Sequence, residues 1–445
     1  MLKKVLILSL VMAFSSFLLA EVQAVRVGGD IRVRGVMWKN LWSFDNDYRT
    51  DIRDFYRHRT NIWVSADLTD NINAFVKLNN EYHWGNYAST HSVFNNDIVI
   101  DNAYIELGEF MTWPMSLKIG RQNLIFGEGF MILEGTPKDG SKTIGFDAIR
   151  ATWKLDENTL DVFTAKLSEG YGQHTDEDLY GVYLTNTYFP TKIEVYVLRR
   201  ERRASETFSG GSTYADKIHP KQTTDALGVR LSGKLGENFS YSAEIAQEWG
   251  RMKREAGDGI EPKVYRTKWV RKEATGGYVR GTYTFADVAF KPAVTLEYVY
   301  LSGDNPDSKK YEGWDQFYSE FPKYSELYVY SMWDGFNAVN GSIDQDLETW
   351  TNMTMSRIGM KIHFTDKLSF EFNYKDFRAL QDTNLTAYEN PGKHRGENLQ
   401  AWIRYRYSED VSFHILWEQF DPGNYYPEDN RDKAYFSRFE VLVKF

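Results

Sequence analysis

Apolar and polar side chains alternate in stretch after stretch of this chain. That period fits extended strands with one greasy face and one wet face. In the first such stretch Val25, Val27, Ile31, Val33 and Met37 share one parity, and Arg26, Asp30, Arg32 and Arg34 share the other. In the last, Phe439, Val441, Val443 and Phe445 alternate with Arg438, Glu440 and Lys444. The pattern predicts eighteen strands, near 25–38, 54–68, 72–84, 98–108, 115–126, 145–155, 158–168, 179–189, 191–201, 224–235, 238–250, 273–285, 289–302, 350–364, 367–379, 396–407, 410–420 and 433–445.

The links between these strands alternate in length. Tight turns such as Thr69-Asp70-Asn71, Gly236-Glu237-Asn238 and Ser408-Glu409-Asp410 carry the residues that turns favour. Long links intervene, the longest near 303–349. Short turns at one end and long loops at the other are the plan of an outer-membrane barrel, and an even strand count places both termini on the periplasmic side. Each strand is long enough to cover the ~9–11 residues needed to cross lipid, whereas soluble strands average ~5–6. The expected fold is therefore all-β: an 18-stranded antiparallel transmembrane barrel with short periplasmic turns and long extracellular loops. It reconciles a mean hydropathy of −0.52 with 16% aromatic residues, because only alternate side chains face lipid and aromatics gather at the membrane interfaces.

Ahead of the strands, Lys3 and Lys4 precede an apolar run from Val5 to Leu19, and Val22-Gln23-Ala24 presents small residues at a cleavage site. This is the layout of a signal peptide. Residues 1–24 are expected to be removed, with Ala20 as the second choice of cut, leaving 25–445 as one barrel domain. The C-terminal strand, Tyr435 to Phe445, resembles the signal by which the barrel-assembly machinery recognises its clients. With no cysteine and a net charge of −9, disulfides, thiolate metal sites and a nucleic-acid partner are not expected. His-Glu-x-x-His, Gly-x-Ser-x-Gly and P-loop motifs are absent, so neither catalysis, a cofactor nor a metal is expected. His363 and His414 read as polar wall.

A lipid-facing Arg or Lys costs ~2–4 kcal/mol at the bilayer midplane, so the charged parity must point inward, toward water. On that parity basic residues outnumber acidic ones by about two to one. The candidate pore-lining residues are Arg32, Arg34, Arg57, Arg59, Arg150, Arg230, Arg280, Arg357, Arg404, Arg406 and Arg438. Such rings favour anions in a pore. The 303–349 link is aromatic from Tyr311 to Phe336; it is either a constriction folded into the lumen or a cap above it.

Two segments carry a family likeness. Gly120-Arg121-Gln122 runs into the glycine-rich Phe126-Gly127-Glu128-Gly129, and Phe146-Asp147 leads to Arg150 and Trp153. At this spacing the chain resembles the alginate-export family of outer-membrane porins. The resemblance implies an 18-stranded, mostly monomeric barrel with an arginine-lined constriction, and it assigns Arg121 and Arg150 to the pore. Met115, Leu117 and Ile119 occupy the lipid parity of the same strand as Arg121, so a bulge near Gly120 is expected to return Arg121 to the lumen. The expected partners are outer-membrane lipid and lipopolysaccharide, the assembly machinery, and an anionic solute or alginate-like polysaccharide. The alternative is a structural or adhesive barrel with a plugged lumen.

Overall fold

The structure, a computed structural model, describes residues 22–41, 43–47, 52–84, 98–110, 113–133, 145–168, 176–202, 221–256, 266–305, 307–319, 323–327, 351–381 and 392–445. The segment expected to be a signal lies almost wholly outside them.

The strands are β1 (Ala24–Lys39), β2 (Ile52–Thr69), β3 (Ile72–His83), β4 (Ile98–Leu107), β5 (Met115–Gln122), β6 (Phe146–Leu155), β7 (Asn158–Ser168), β8 (Glu177–Asn186), β9 (Thr191–Arg202), β10 (Gln222–Leu235), β11 (Phe239–Ala256), β12 (Arg266–Thr284), β13 (Ala293–Leu301), β14 (Lys310–Tyr311), β15 (Met353–His363), β16 (Leu368–Arg378), β17 (His394–Arg406), β18 (Val411–Pro422) and β19 (Ala434–Lys444). β14 is a two-residue element inside the long link, lying parallel to β12. The other 18 form one antiparallel barrel. Each pairs with its neighbour in sequence, and β1 closes on β19 with Asp30 opposite Lys444. Gly29 and Phe445 exchange backbone hydrogen bonds of 2.8 and 3.0 Å at that seam.

Every strand expected from alternation is present. β11 and β12 run further than expected, pairing out to Ala256 opposite Arg266. Their outer ends are rich in Lys and Arg, so no apolar alternation distinguishes them from loop.

The outer face is apolar: Val27, Ile62, Val76, Ile105, Ile149, Ile245 and Leu296 are among its exposed side chains. Exposed aromatics mark the periplasmic turns, including Trp113, Tyr188, Phe189, Phe285, Phe290, Phe364 and Tyr407. On the outward face of two other strand ends, Tyr56 stacks on Trp84 with ring centres 5.1 Å apart. These positions match the interfacial aromatic belts of a membrane protein.

The expected bulge at Gly120–Arg121 is not there. β5 stays in register with β4 and β6 through both residues, and Arg121 is exposed on the same parity as Ile119. The irregularity lies in the facing strand instead. Lys77 pairs with Asn102 and Leu78 with Ile100, so Asp101 is the extra residue. Asp101 and Asn102 both turn inward and are buried, and the Asp101 carboxylate meets Lys77 at 2.6 Å. A bulge does re-aim a side chain here, but it delivers an acid to the lumen rather than Arg121.

Candidate solute pathway in the lumen

Two loops fold into the barrel. The first continues β5 and contains the glycine-rich motif. Gln122 ties its start to the wall by donating to the Ala148 carbonyl at 3.0 Å. Beyond it Leu124, Phe126, Phe130, Met131, Ile132 and Leu133 are all buried. Phe126 stacks on Tyr183 and Phe163, with ring centres 4.5 and 5.0 Å apart. Gly127 and Gly129 adopt φ of +57° and +71°, the left-handed region where a Cβ is costly. They turn the chain on either side of Glu128 and aim its side chain into the lumen.

The second loop leaves β13 and passes through β14. Trp314 lies over Gly276 of β12, where an added Cβ would come within 2.6 Å of the indole. The next residue, Asp315, is fully buried. It accepts from Lys272 at 3.0 Å and Gln222 at 3.0 Å, and it also pairs with Arg200. Burial alone would raise its pKa, but Arg200 and Lys272 outweigh that and hold it well below the usual carboxylate range. The two loops then join: Tyr318 donates its N–H to Met131 O at 2.9 Å, and Leu133 donates to Tyr318 O at 2.7 Å. On the far side Ser325 donates to Glu418 at 2.5 Å, Arg438 to Glu326 at 2.5 Å, and Lys375 to the Tyr324 carbonyl. The described part of the 303–349 link thus crosses the lumen rather than capping it. Its aromatics from Tyr328 to Phe336 lie outside the described residues.

Between these loops and the wall of β12–β19 lies a cavity of about 780 Å³. Five basic residues (Arg280, Lys323, Arg357, Lys375, Arg404) and five acidic ones (Glu128, Glu297, Glu326, Glu371, Glu440) line it. An alternating row runs along the wall. Glu128 meets Arg280 at 2.5 Å, Arg280 meets Glu297 at 3.8 Å, and Glu297 meets Arg357 at 3.0 Å. Arg357 meets Glu371 at 3.2 Å, and Glu371 meets Arg404 at 2.8 Å. Arg404 also lies over the Trp402 ring, 4.2 Å from its centre.

Formal charges balance in the lining, but exposure does not. The Arg404, Arg280 and Arg357 side chains are 40%, 30% and 20% exposed. Glu371 is 18% exposed, Glu297 and Glu440 8%, and Glu326 7%. Glu297 and Glu371 thus sit behind the guanidinium groups of the row, whereas Glu440 and Glu326 stand in front of Arg34 and Arg438, whose side chains are 4% and 2% exposed. Glu128 is the exception at 29%. Burial alone would raise its pKa, but Arg280 and Arg230 outweigh that and keep it below the usual range.

Of the arginines expected to line the pore, Arg280, Arg357 and Arg404 border this cavity. Arg438 stands just behind the cavity wall, donating to His414 at 3.0 Å. Arg34 and Arg32 lie 2.5 and 3.8 Å from Glu440. Arg57 pairs with Glu81, and Arg59 with Asp30 at 2.9 Å. Arg150 pairs with Asp161 at 2.8 Å and covers the Phe126 ring. Arg230 is buried against Glu194 and Glu128. Arg406 is exposed beside a periplasmic turn, donating to Asp366 O at 3.3 Å. Arg121 points outward and pairs with Asp147 at 2.8 Å.

Sequence parity did not find Glu128, Asp315 or Glu326, because they belong to loops whose course strand alternation cannot trace. It missed Asp101 because a bulge changed its face, and Asp161 because the phase of its strand is ambiguous in the sequence. The aromatic motif around Gly127 and Gly129 was the available signal for an inward loop.

Solved structures share this architecture. Acinetobacter baumannii OccAB1 superposes with a TM-score of 0.59 at 9% identity, over 96% of this chain and 98% of that one. Pseudomonas aeruginosa OccK9 (OpdG) gives 0.58 at 9% identity, over 95% and 99%. P. aeruginosa OpdK with vanillate gives 0.54 at 9% identity, over 94% and 98%. At such identities the likeness is one of fold. No curated protein matches by sequence. The family model described as alginate export matches residues 25–437. With an outer-membrane barrel, two inward loops and an arginine-bearing cavity in place, the chain belongs to the alginate-export family of outer-membrane channels.

Proposed function

We propose that this channel passes small acidic solutes, uronic acids and other organic carboxylates, down their gradients. One observation carries the reading: the cavity's arginines are more exposed to water than Glu297 and Glu371, the two acids packed behind them. A solute therefore meets positive charge even though the lining is formally balanced, and a narrow low-dielectric passage focuses that field. Arg404, laid on Trp402, offers a guanidinium fork that suits a carboxylate beside a flat surface that suits a ring. The fold neighbour OpdK with vanillate carries a ligand of that chemical kind. A cavity of about 780 Å³ suits a single small organic molecule. An alginate-like polymer would require the crossing loops to move aside. The chain works as a monomer, exported behind a signal cut after Ala24 and inserted by the barrel-assembly machinery.

Planar-bilayer measurement in a salt gradient tests this. The wild type should prefer anions, and Arg404→Glu should reduce or abolish that preference. Cation preference in the wild type would defeat the reading. The second reading, a plugged structural barrel, is favoured by the fully buried Asp315 latch. It requires the folded protein to show no conductance.

A further inference from the structure

We propose that Glu128 is a selectivity residue of the lumen, and that its carboxylate occupies the place on Arg280 that a solute carboxylate takes in transit. The inference rests on the acidic-solute reading above and assigns a role to the glycine-flanked loop tip.

Among the acids of the lining, Glu128 is the one held forward. Its two oxygens are divided between Arg230 Nη2 at 2.8 Å and Arg280 Nη2 at 2.5 Å. The backbone beneath it is fixed independently of the side chain. Gly127 and Gly129 make the turn, and Lys323 donates to the carbonyls of Glu128 and Gly129 at 3.2 and 3.4 Å. The carboxylate can therefore leave its arginines by side-chain rotation while the loop stays in place.

The two arginines would respond differently. Arg230 is buried and retains Glu194, with Tyr278 accepting at 3.2 Å. Arg280 is part-exposed on the cavity, and its other carboxylate, Glu297, is 3.8 Å away and shared with Arg357. Losing the Glu128 charge thus unmasks chiefly Arg280. A carboxylate arriving from solution would find there the charge-assisted fork that Glu128 now fills. A brace of purely structural purpose would lie behind the guanidinium, as Glu297 does behind Arg280 and Arg357.

The experiment compares wild type, Glu128→Gln, Arg280→Gln, the double variant and Arg404→Glu in planar bilayers under a potassium chloride gradient, with glucuronate added as blocker. Each barrel is first checked for folding by its heat-modifiable gel mobility. Glu128→Gln is expected to raise the chloride-to-potassium permeability ratio severalfold and to strengthen glucuronate block. Both effects should vanish in the double variant. If Glu128→Gln does not fold, Glu128→Asp, whose shorter side chain draws the charge back from Arg280, should move the ratio the same way by less. If Arg404→Glu changes the ratio and the Glu128 variants do not, solutes pass without meeting Glu128 and the proposal is overturned alone. If folded wild type carries no current, or Arg404→Glu leaves selectivity unchanged, the underlying reading falls and this one with it.

Discussion

An arginine on the inner wall meets solute only if no carboxylate has closed around its fork first. Arg32, Arg34, Arg57, Arg59 and Arg150 all lie on wall strands and all have an acid within reach. Arg404 pairs too, but through one edge, and it keeps more of its side chain in water than the others of its row. Buried pairs of this kind brace the barrel, and removing one partner is costly because the other charge is left in a dry place. Arg121 is the opposite case. Its pair with Asp147 faces away from the lumen at the loop end of β5, where near the membrane interface an outward charge costs, and its pairing contributes, about 0–1 kcal/mol. Arg121→Ala should therefore leave anion selectivity unchanged in bilayers and shift the denaturation midpoint only slightly. A selectivity change comparable to that of Arg404→Glu would restore Arg121 to the pore.

At the level of elements, the strands form a cylinder and the two loops decide how much of it is open. Strand positions were legible because alternation is local and repeated. The turns were legible because Asp, Asn, Gly and Pro mark them. The inward path of the loops was not, since it depends on partners far along the chain. Arg200 and Asp315 are 115 residues apart, and Arg280 and Glu128 are 152 apart. The bulge expected at Gly120–Arg121 was wrong for a different reason. Strict parity sends Arg121 outward, as found; the bulge was expected there only because the family resemblance assigned Arg121 to the pore, and parity gives no sign of the extra residue at Asp101 in the facing strand. Asp315 fastens the long loop to β9, β10 and β12 through Arg200, Gln222 and Lys272, so Asp315→Asn should loosen it while leaving the wall strands paired. Breaking a buried ion pair costs ~3–5 kcal/mol. The expected readout is faster proteolysis within 303–327 together with larger, noisier single-channel currents. Unchanged currents with an intact loop would show that Arg200 and Lys272 do not govern its position.

For the whole molecule, the proposed function makes cavity size and the sign of the exposed charge the determinants of which solutes pass. In liposome-swelling or current-block measurements, glucuronate and galacturonate should be admitted ahead of neutral sugars of the same size. Polyuronate should block without passing while the loops stay fastened. Ready passage of long uronate chains would show that the loops give way under load. Alternation by itself determined the barrel, its strand number and its two faces, because each follows from chemistry repeated every second residue. Which of the inner-wall charges a solute can touch was decided only in the tertiary structure. There, acids carried by distant loop segments compete with water for the same guanidinium groups, and that competition is settled by three-dimensional proximity, which no sequence period encodes.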